Sequence, residues 1–271
     1  MLILKSVMDL DKYQPQITSD TLVLLDVDDT LITPTAKIFH MGCNYQPALL
    51  PQNLLAELTA NLPENPIDEL KLLCDQNSSY HQIIANWRLS RQVQLVEPEW
   101  LAVIAQLKAI TTVYAFTKMD TGQYSIISNM EQWRYAELTR LGLTFSTQLN
   151  GQSAMRLLEI EASNGVSNFG YAAFIHGIAM TGKFNKAELL AAVLAKSQRQ
   201  FKNILLVDDR PEMVQLVGDY CLSIGMPFIG LHYTGVDAWA KDINLDVVKL
   251  QQDRLFNVNI WLEDEQALAE L

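Results

Sequence analysis

Residues Thr21–Leu25 (TLVLL) form a continuous apolar run that stops abruptly at Asp-Val-Asp-Asp-Thr. A strand buried on one face alternates in polarity. A strand apolar at every position is covered on both faces, the condition of a central strand in a parallel sheet. Such a strand needs neighbours, and similar runs follow. Residues 112–116 (TVYAF) end at Thr117, 173–179 (AFIHGIA) end near Thr181, and 203–207 (NILLV) end at Asp208 and Asp209; 227–232 (PFIGLH) read as the last strand of the sheet. Helix signals lie between them. Residues 128–141 open with Ser128 and Glu131 at capping-box spacing and stop at Gly142. Residues 185–197 are Ala/Leu-rich with Asn185 as N-cap, and 211–223 begin with Pro211 and end before Gly225. This alternation predicts an α/β fold: a doubly wound parallel sheet with right-handed crossovers.

One segment breaks the alternation. Residues 29–111 hold no convincing buried strand, only helical stretches near 47–62, 67–75, 79–93 and 98–108. That is too much chain for a simple crossover. The expected organisation is a core of residues 1–32 and 110–271, with a helical cap of residues 33–109 inserted after the first strand. Two units agree with 271 residues at roughly 150 per domain. A lesser insertion around 149–169 reads as an extra hairpin, and the tail after Asp242 as one or two closing helices, the last near 261–271.

The net charge is −11, from 20 Lys+Arg against 31 Asp+Glu. An acidic surface repels nucleic-acid phosphates and anionic lipids, which speaks against a nucleic-acid partner or a membrane surface. No apolar run approaches the roughly 18 residues of a membrane span, and the N-terminal apolar stretch is too short for a signal peptide. The chain reads as cytoplasmic, although export by specialised machinery would leave no such mark. Cys43, Cys74 and Cys221 are odd in number and far apart, which indicates neither a disulfide scaffold nor a zinc site.

In an open parallel sheet, ligands bind at the carboxyl ends of the strands. Here those ends carry Asp26, Asp28, Asp29 and Thr30, then Thr117, then Asp208 and Asp209; Lys183 and Lys186 flank the start of a helix. Up to five carboxylates would converge on one crevice, where like charges cannot all stay ionised without compensation. A hard cation such as Mg²⁺, which prefers oxygen ligands, is the natural remedy, and it recruits phosphate in turn.

DVDDTLI at 26–32 resembles the DxDxT/V signature of the haloacid dehalogenase (HAD) superfamily of phosphohydrolases. Thr117 is similar to its second motif, Lys186 to its third, and Asp208-Asp209 to its fourth, in the same order along the chain. The stretches NKAELL, VDDR and GLHY resemble a bacterial subgroup of that superfamily whose function is unassigned. The resemblance implies a HAD-like Rossmannoid core and a Mg²⁺-dependent phosphatase acting on a small phosphorylated substrate. Asp26 would be the nucleophile and form an aspartyl-phosphate. Asp28 would be general acid and then base, with its backbone carbonyl on Mg²⁺. Thr117 and Lys186 would hold the phosphoryl group, and Asp26, Asp208 and Asp209 would be the other metal ligands. Thr117 is followed by Lys118 where many relatives carry Asn, Ser or Arg, so the role of that next position is open.

Several residues carry plainer readings. Asp29 reads as structural, Lys183 as a solvated charge, and His232 as a packing or hydrogen-bonding residue. In the cap, Arg88 is a candidate contact for a second anionic group on the substrate, its planar fork suiting carboxylate or phosphate. The alternative has Trp87 packing the cap core, with Arg88 and Arg91 on a solvated face. Asp28 argues against dehalogenation but leaves hydrolysis and phosphoryl transfer, as in a mutase, both open. A receiver domain places its acid pair before its lysine, the reverse of the order here. A non-catalytic binding or effector protein on the same scaffold is the remaining alternative. Oligomeric state is not legible.

Overall fold

The computed structural model describes residues 2–39, 78–159, 170–239 and 243–271. Among these residues the strands are β1 (Leu2–Leu4), β2 (Thr21–Leu25), β3 (Ile32–Pro34), β4 (Val93–Leu95), β5 (Thr112–Thr117), β6 (Ala154–Glu159), β7 (Tyr171–Ile175), β8 (Ile178–Met180), β9 (Asn203–Asp208) and β10 (Phe228–Tyr233). The α-helices are α1 (Ser78–Ser90), α2 (Trp100–Ile110), α3 (Met130–Arg140), α4 (Lys186–Lys196), α5 (Pro211–Ser223), α6 (Leu245–Val258) and α7 (Asp264–Glu270).

Eight strands form one sheet in the order β1-β10-β9-β2-β5-β8-β7-β6. Pairings from β1 through to β8 are parallel, and β8–β7 and β7–β6 are antiparallel. The protein is therefore α/β with a mostly parallel central sheet flanked by helices. Every residue of β2 is buried, as its unbroken apolar sequence requires. Leu22 and Leu24 pack in a cluster with Tyr114, Phe116, Leu189 and Leu206.

The chain divides into two compact units. The first comprises Met1–Ile32, Leu95–Tyr124 and Ser128–Val236; the second comprises Thr33–Gln94, Ser125–Ile127 and Asp237–Leu271. These bounds differ from the expected 33–109 in three respects, the smallest being that Ser125–Ile127 joins the second unit. Helix α2 belongs to the first unit and packs on β5. The tail helices α6 and α7 belong to the second, where the carboxylates of Glu263 and Asp264 attach them, Asp264 accepting from the Lys37 amide at 3.3 Å. Glu263 accepts hydrogen bonds from the Thr35 hydroxyl (2.7 Å), the Gln92 amide (2.8 Å) and the Trp261 indole N–H (2.7 Å). Trp87 of α1 is buried edge-on to Trp261, with ring centroids 6.4 Å apart.

Other expectations need correction. The run 173–179 is not one strand: it splits into β7 and β8 around a turn at His176 and Gly177, both in the left-handed region at φ 45° and 90°. The anticipated hairpin is the β6–β7 pair, with 160–169 outside the described residues. The cap of α3 is Asn129, whose side chain accepts from the Gln132 amide, rather than Ser128. The 29–111 segment does contain strands, β3 and β4, which form a separate two-stranded sheet. The helical stretches expected at 47–62 and 67–75, and Cys43 and Cys74, lie outside the described residues. Strand β1 had no sequence signal. It is only three residues long with Leu2 and Ile3 exposed, and the chain just after it is tied down by Glu97. That carboxylate accepts from the Ser6 hydroxyl (2.5 Å), the Val7 amide (2.7 Å) and the Tyr233 hydroxyl (2.5 Å). Cys221 is buried and free, and burial pushes its thiol up to about 11.

At Gly177 a Cβ would stand 2.6 Å from the Phe145 Cβ and 2.7 Å from the Ser146 carbonyl oxygen. Gly177→Val combines this clash with a strained positive φ. It is expected to lower stability in urea unfolding by on the order of 1–3 kcal/mol or more, whereas Gly151→Ala, where a Cβ meets nothing within 4 Å, should cost less.

Candidate functional site

The crevice follows from the strand order. Chain connections leave β2 for β5 on one side and return to β9 on the other, so a switch point lies between β2 and β9. The Asp26 amide donates to the Val207 carbonyl (2.9 Å), which extends the β2–β9 ladder beyond its last paired residues. Asp26 therefore stands beside Asp208, the last residue of β9. The turn after Asp26 is closed locally: Val27 O accepts from the Leu31 and Ile32 amides (2.9 and 3.0 Å), and the Asp29 amide donates to Ile32 O (2.7 Å). Asp29 itself sits at φ 59°, a conformation aspartate tolerates better than most residues. Its structural reading is thereby supplied with a reason.

The carboxylates of Asp26, Asp208 and Asp209 each offer an oxygen within 4.8 Å of the other two. Lys186 reaches into this group. It is the first residue of α4, set by a complete capping box between Asn185 and Glu188. Its Nζ lies 2.7 Å from Asp26 Oδ1 and 2.6 Å from Asp208 Oδ2, and it is 1% exposed. Lys183, by contrast, is exposed, which decides between the two lysines. Asp208 Oδ1 accepts from the Arg210 amide at 3.0 Å.

These contacts set the charge states. Burial alone would lower the Lys186 ammonium, but the charges of Asp208 and Asp26 outweigh it and raise it overall. Burial and the neighbouring Asp26 push Asp208 up to about 6 despite Lys186. Burial and the charges of Asp26, Asp208 and Asp29 push Asp209 well above the ordinary carboxylate range. The cluster thus carries more negative charge than one lysine balances. Three clustered carboxylates with such a surplus fit a hard divalent cation, which prefers oxygen donors.

Thr117 ends β5, beside β2, and is 1% exposed. Its carbonyl accepts from the Thr181 amide at 3.1 Å. Arg88 belongs to the second unit, on α1, where it is half-buried. Its neighbour Arg91 is buried, with its guanidinium 4.6 Å from the Trp87 ring centroid, so the solvated-face reading fails for Arg91.

Sequence reasoning set Thr30 at a strand end without giving it a role, and it missed Arg134. Thr30 is fully buried, and its hydroxyl accepts from the Asp209 amide (3.1 Å) and faces Asp209 Oδ1 at 3.5 Å. Arg134 on α3 is 3% exposed, and its Nη2 lies 2.7 Å from Asp28 Oδ2. The missed signal lies along α3, whose buried positions Met130, Glu131, Arg134, Glu137 and Leu138 follow helical spacing. Charges at three of those positions mimic a solvent face.

In class, this is an α/β protein with an acidic crevice at the switch point of a mostly parallel sheet. The chain belongs to the family described as "Protein of unknown function (DUF2608)", which it matches over residues 4–268. It is similar to "Uncharacterized protein RP296" of Rickettsia prowazekii (strain Madrid E), at 26% identity over 257 residues, covering 95% of this chain and 85% of that one. No solved structure matches. Among the described residues, no helix is long and apolar enough to cross a membrane.

A carboxyl whose folded pKa is raised favours folding below its unfolded value of 3.8, and that contribution is lost as pH rises through about 6. Metal-free protein in a chelator is therefore expected to gain Tm from Asp208 as pH falls from about 7 towards about 5. Asp208→Asn should flatten this trend.

Proposed function

We propose that the protein is a Mg²⁺-dependent phosphatase of HAD type, acting on a small phosphomonoester through an aspartyl-phosphate on Asp26. The observation that carries this reading is the contact of Lys186 with both Asp26 and Asp208, with Asp209 completing the acid cluster. A lysine buried against an acid at the end of a central strand is costly unless both charges are used or tightly paired. The ordered motifs from Asp26 to Asp209 account for their use.

An Asp26 carboxylate oxygen attacks phosphorus, forming the O–P bond as the bond to the leaving oxygen breaks. Asp28 gives a proton to that oxygen. Water then attacks the same phosphorus, Asp28 takes its proton, and inorganic phosphate leaves with Asp26 restored. Lys186 offers its ammonium to the phosphoryl oxygens, where charge develops in the transition state. Thr117, at the end of the adjacent strand, binds the same group through its hydroxyl and the following backbone. Asp26, Asp208, Asp209 and the Asp28 carbonyl would hold Mg²⁺, which when bound supplies charge neutralisation for the phosphoryl oxygens.

The test is phosphate release from a panel of sugar phosphates, nucleotides, phospholipid headgroups and phosphopeptides, with and without Mg²⁺. Release is expected from a small soluble ester, to stop on chelation and to return with Mg²⁺. Asp26→Asn is expected to reduce turnover to background with Tm little changed. Substantial turnover in that variant would exclude the covalent route, and no release from any ester would leave a binding protein on the same scaffold as the better reading.

A further inference from the structure

We propose that Arg134 is a positioning residue: it holds the Asp28 carboxylate in one orientation at the crevice and thereby governs the leaving-group step. The chemistry assigned to Asp28 rests on the phosphatase reading; the tie between the two side chains does not.

The backbone of Asp28 is fixed by the closed turn around Val27. Its side chain is another matter, since it is 42% exposed and short. A half-exposed carboxylate ordinarily samples several staggered rotamers. Arg134 Nη2, at 2.7 Å from Asp28 Oδ2, selects one. The guanidinium that does so is itself held from other sides. Its Nη1 donates to Glu137 Oε2 at 2.7 Å, its Nε faces the Met119 sulfur at 3.4 Å, and its carbon lies 5.1 Å from the Trp133 ring centroid. Arg134 and Glu137 are both buried and stand three residues apart on one face of α3.

Charge balance separates this from an ordinary structural pair. Burying a guanidinium costs several kcal/mol unless it is paired, and Glu137 already supplies one full compensating charge within the same helix. Asp28 supplies a second, and its charge acts on Arg134 more strongly still. What the Arg134–Asp28 contact adds is the location of Asp28, and locating a catalytic group is itself a large rate term.

Three variants of the full-length protein test this: Arg134→Lys, Asp28→Ala and their combination. Lysine keeps a cation for Glu137 but loses the planar fork that reaches both acids. If positioning is the role, Arg134→Lys should lower kcat for an alkyl phosphate such as glycerol phosphate by ~10–100-fold, since a placed proton donor contributes about 10²–10⁴-fold. KM should hold within about twofold, because proton transfer acts on the transition state and not on ground-state binding. In kcat/KM, which ends at departure of the leaving group, p-nitrophenyl phosphate needs no proton and should lose little, although its kcat falls with the misplacement of Asp28 as base for water. In the Asp28→Ala background the lysine substitution should have no further effect. Equal losses of kcat/KM on both substrates, or fully multiplicative losses in the double variant, would overturn the proposal.

A second measurement does not depend on activity. In thermal unfolding the Tm losses of Asp28→Ala and Arg134→Lys are expected to be less than additive when combined, as for side chains in direct contact. Additive losses would refute the tie even if wild-type protein released no phosphate. The phosphatase reading fails separately, by the absence of wild-type turnover with Mg²⁺.

Discussion

A single ammonium group organises the crevice. Lys186 Nζ is buried between Asp26 and Asp208, at 2.7 and 2.6 Å, where two strands end side by side. Removing that cation would leave two carboxylates in a site from which water is largely excluded, and an uncompensated buried charge is among the costliest defects a protein can carry. Its delivery depends on local rules. Asn185 and Glu188 fix the first turn of α4, so Lys186 enters the helix at a set place. The adjacency of β2 and β9 brings its two partners together.

The balance around that group is deliberately unequal. Among the described residues, Asp26, Asp28, Asp208 and Asp209 meet two cations, Lys186 and Arg134, and Arg134 also pairs with Glu137. Burial first, and the crowding of acids second, press Asp208 and Asp209 upward. A structure built for stability alone would not assemble this excess of acids. Such a surplus fits a cationic ligand, since hard cations prefer oxygen donors.

The outline of the fold was readable because its signals are local. The unbroken apolar run of β2, the Asn185 capping box and Pro211 at the start of α5 each act within a few residues. The failures share the opposite property. The split of 173–179 turns on two consecutive positive φ angles at His176 and Gly177, inside a run whose composition suits one strand. Strand β1 buries only Leu4 and owes its place to Glu97, some ninety residues away. Helices α6 and α7 join the second unit through Glu263 and Asp264, which meet Thr35, Gln92 and Lys37 from distant parts of the chain.

The same division holds at the site. The sequence by itself determined which acids, which threonine and which lysine lie at strand ends and a helix start, because strand termini and caps are short-range features. Tertiary structure alone decided that Arg134 faces inward to Asp28 and that Thr30 bridges to Asp209. A charged side chain on a helix carries no mark of which way it points. Only the packing of α3 against its neighbours turned a stripe that reads as solvent-facing into a buried strut, because burial is a property of the assembled elements and not of the residues that compose them.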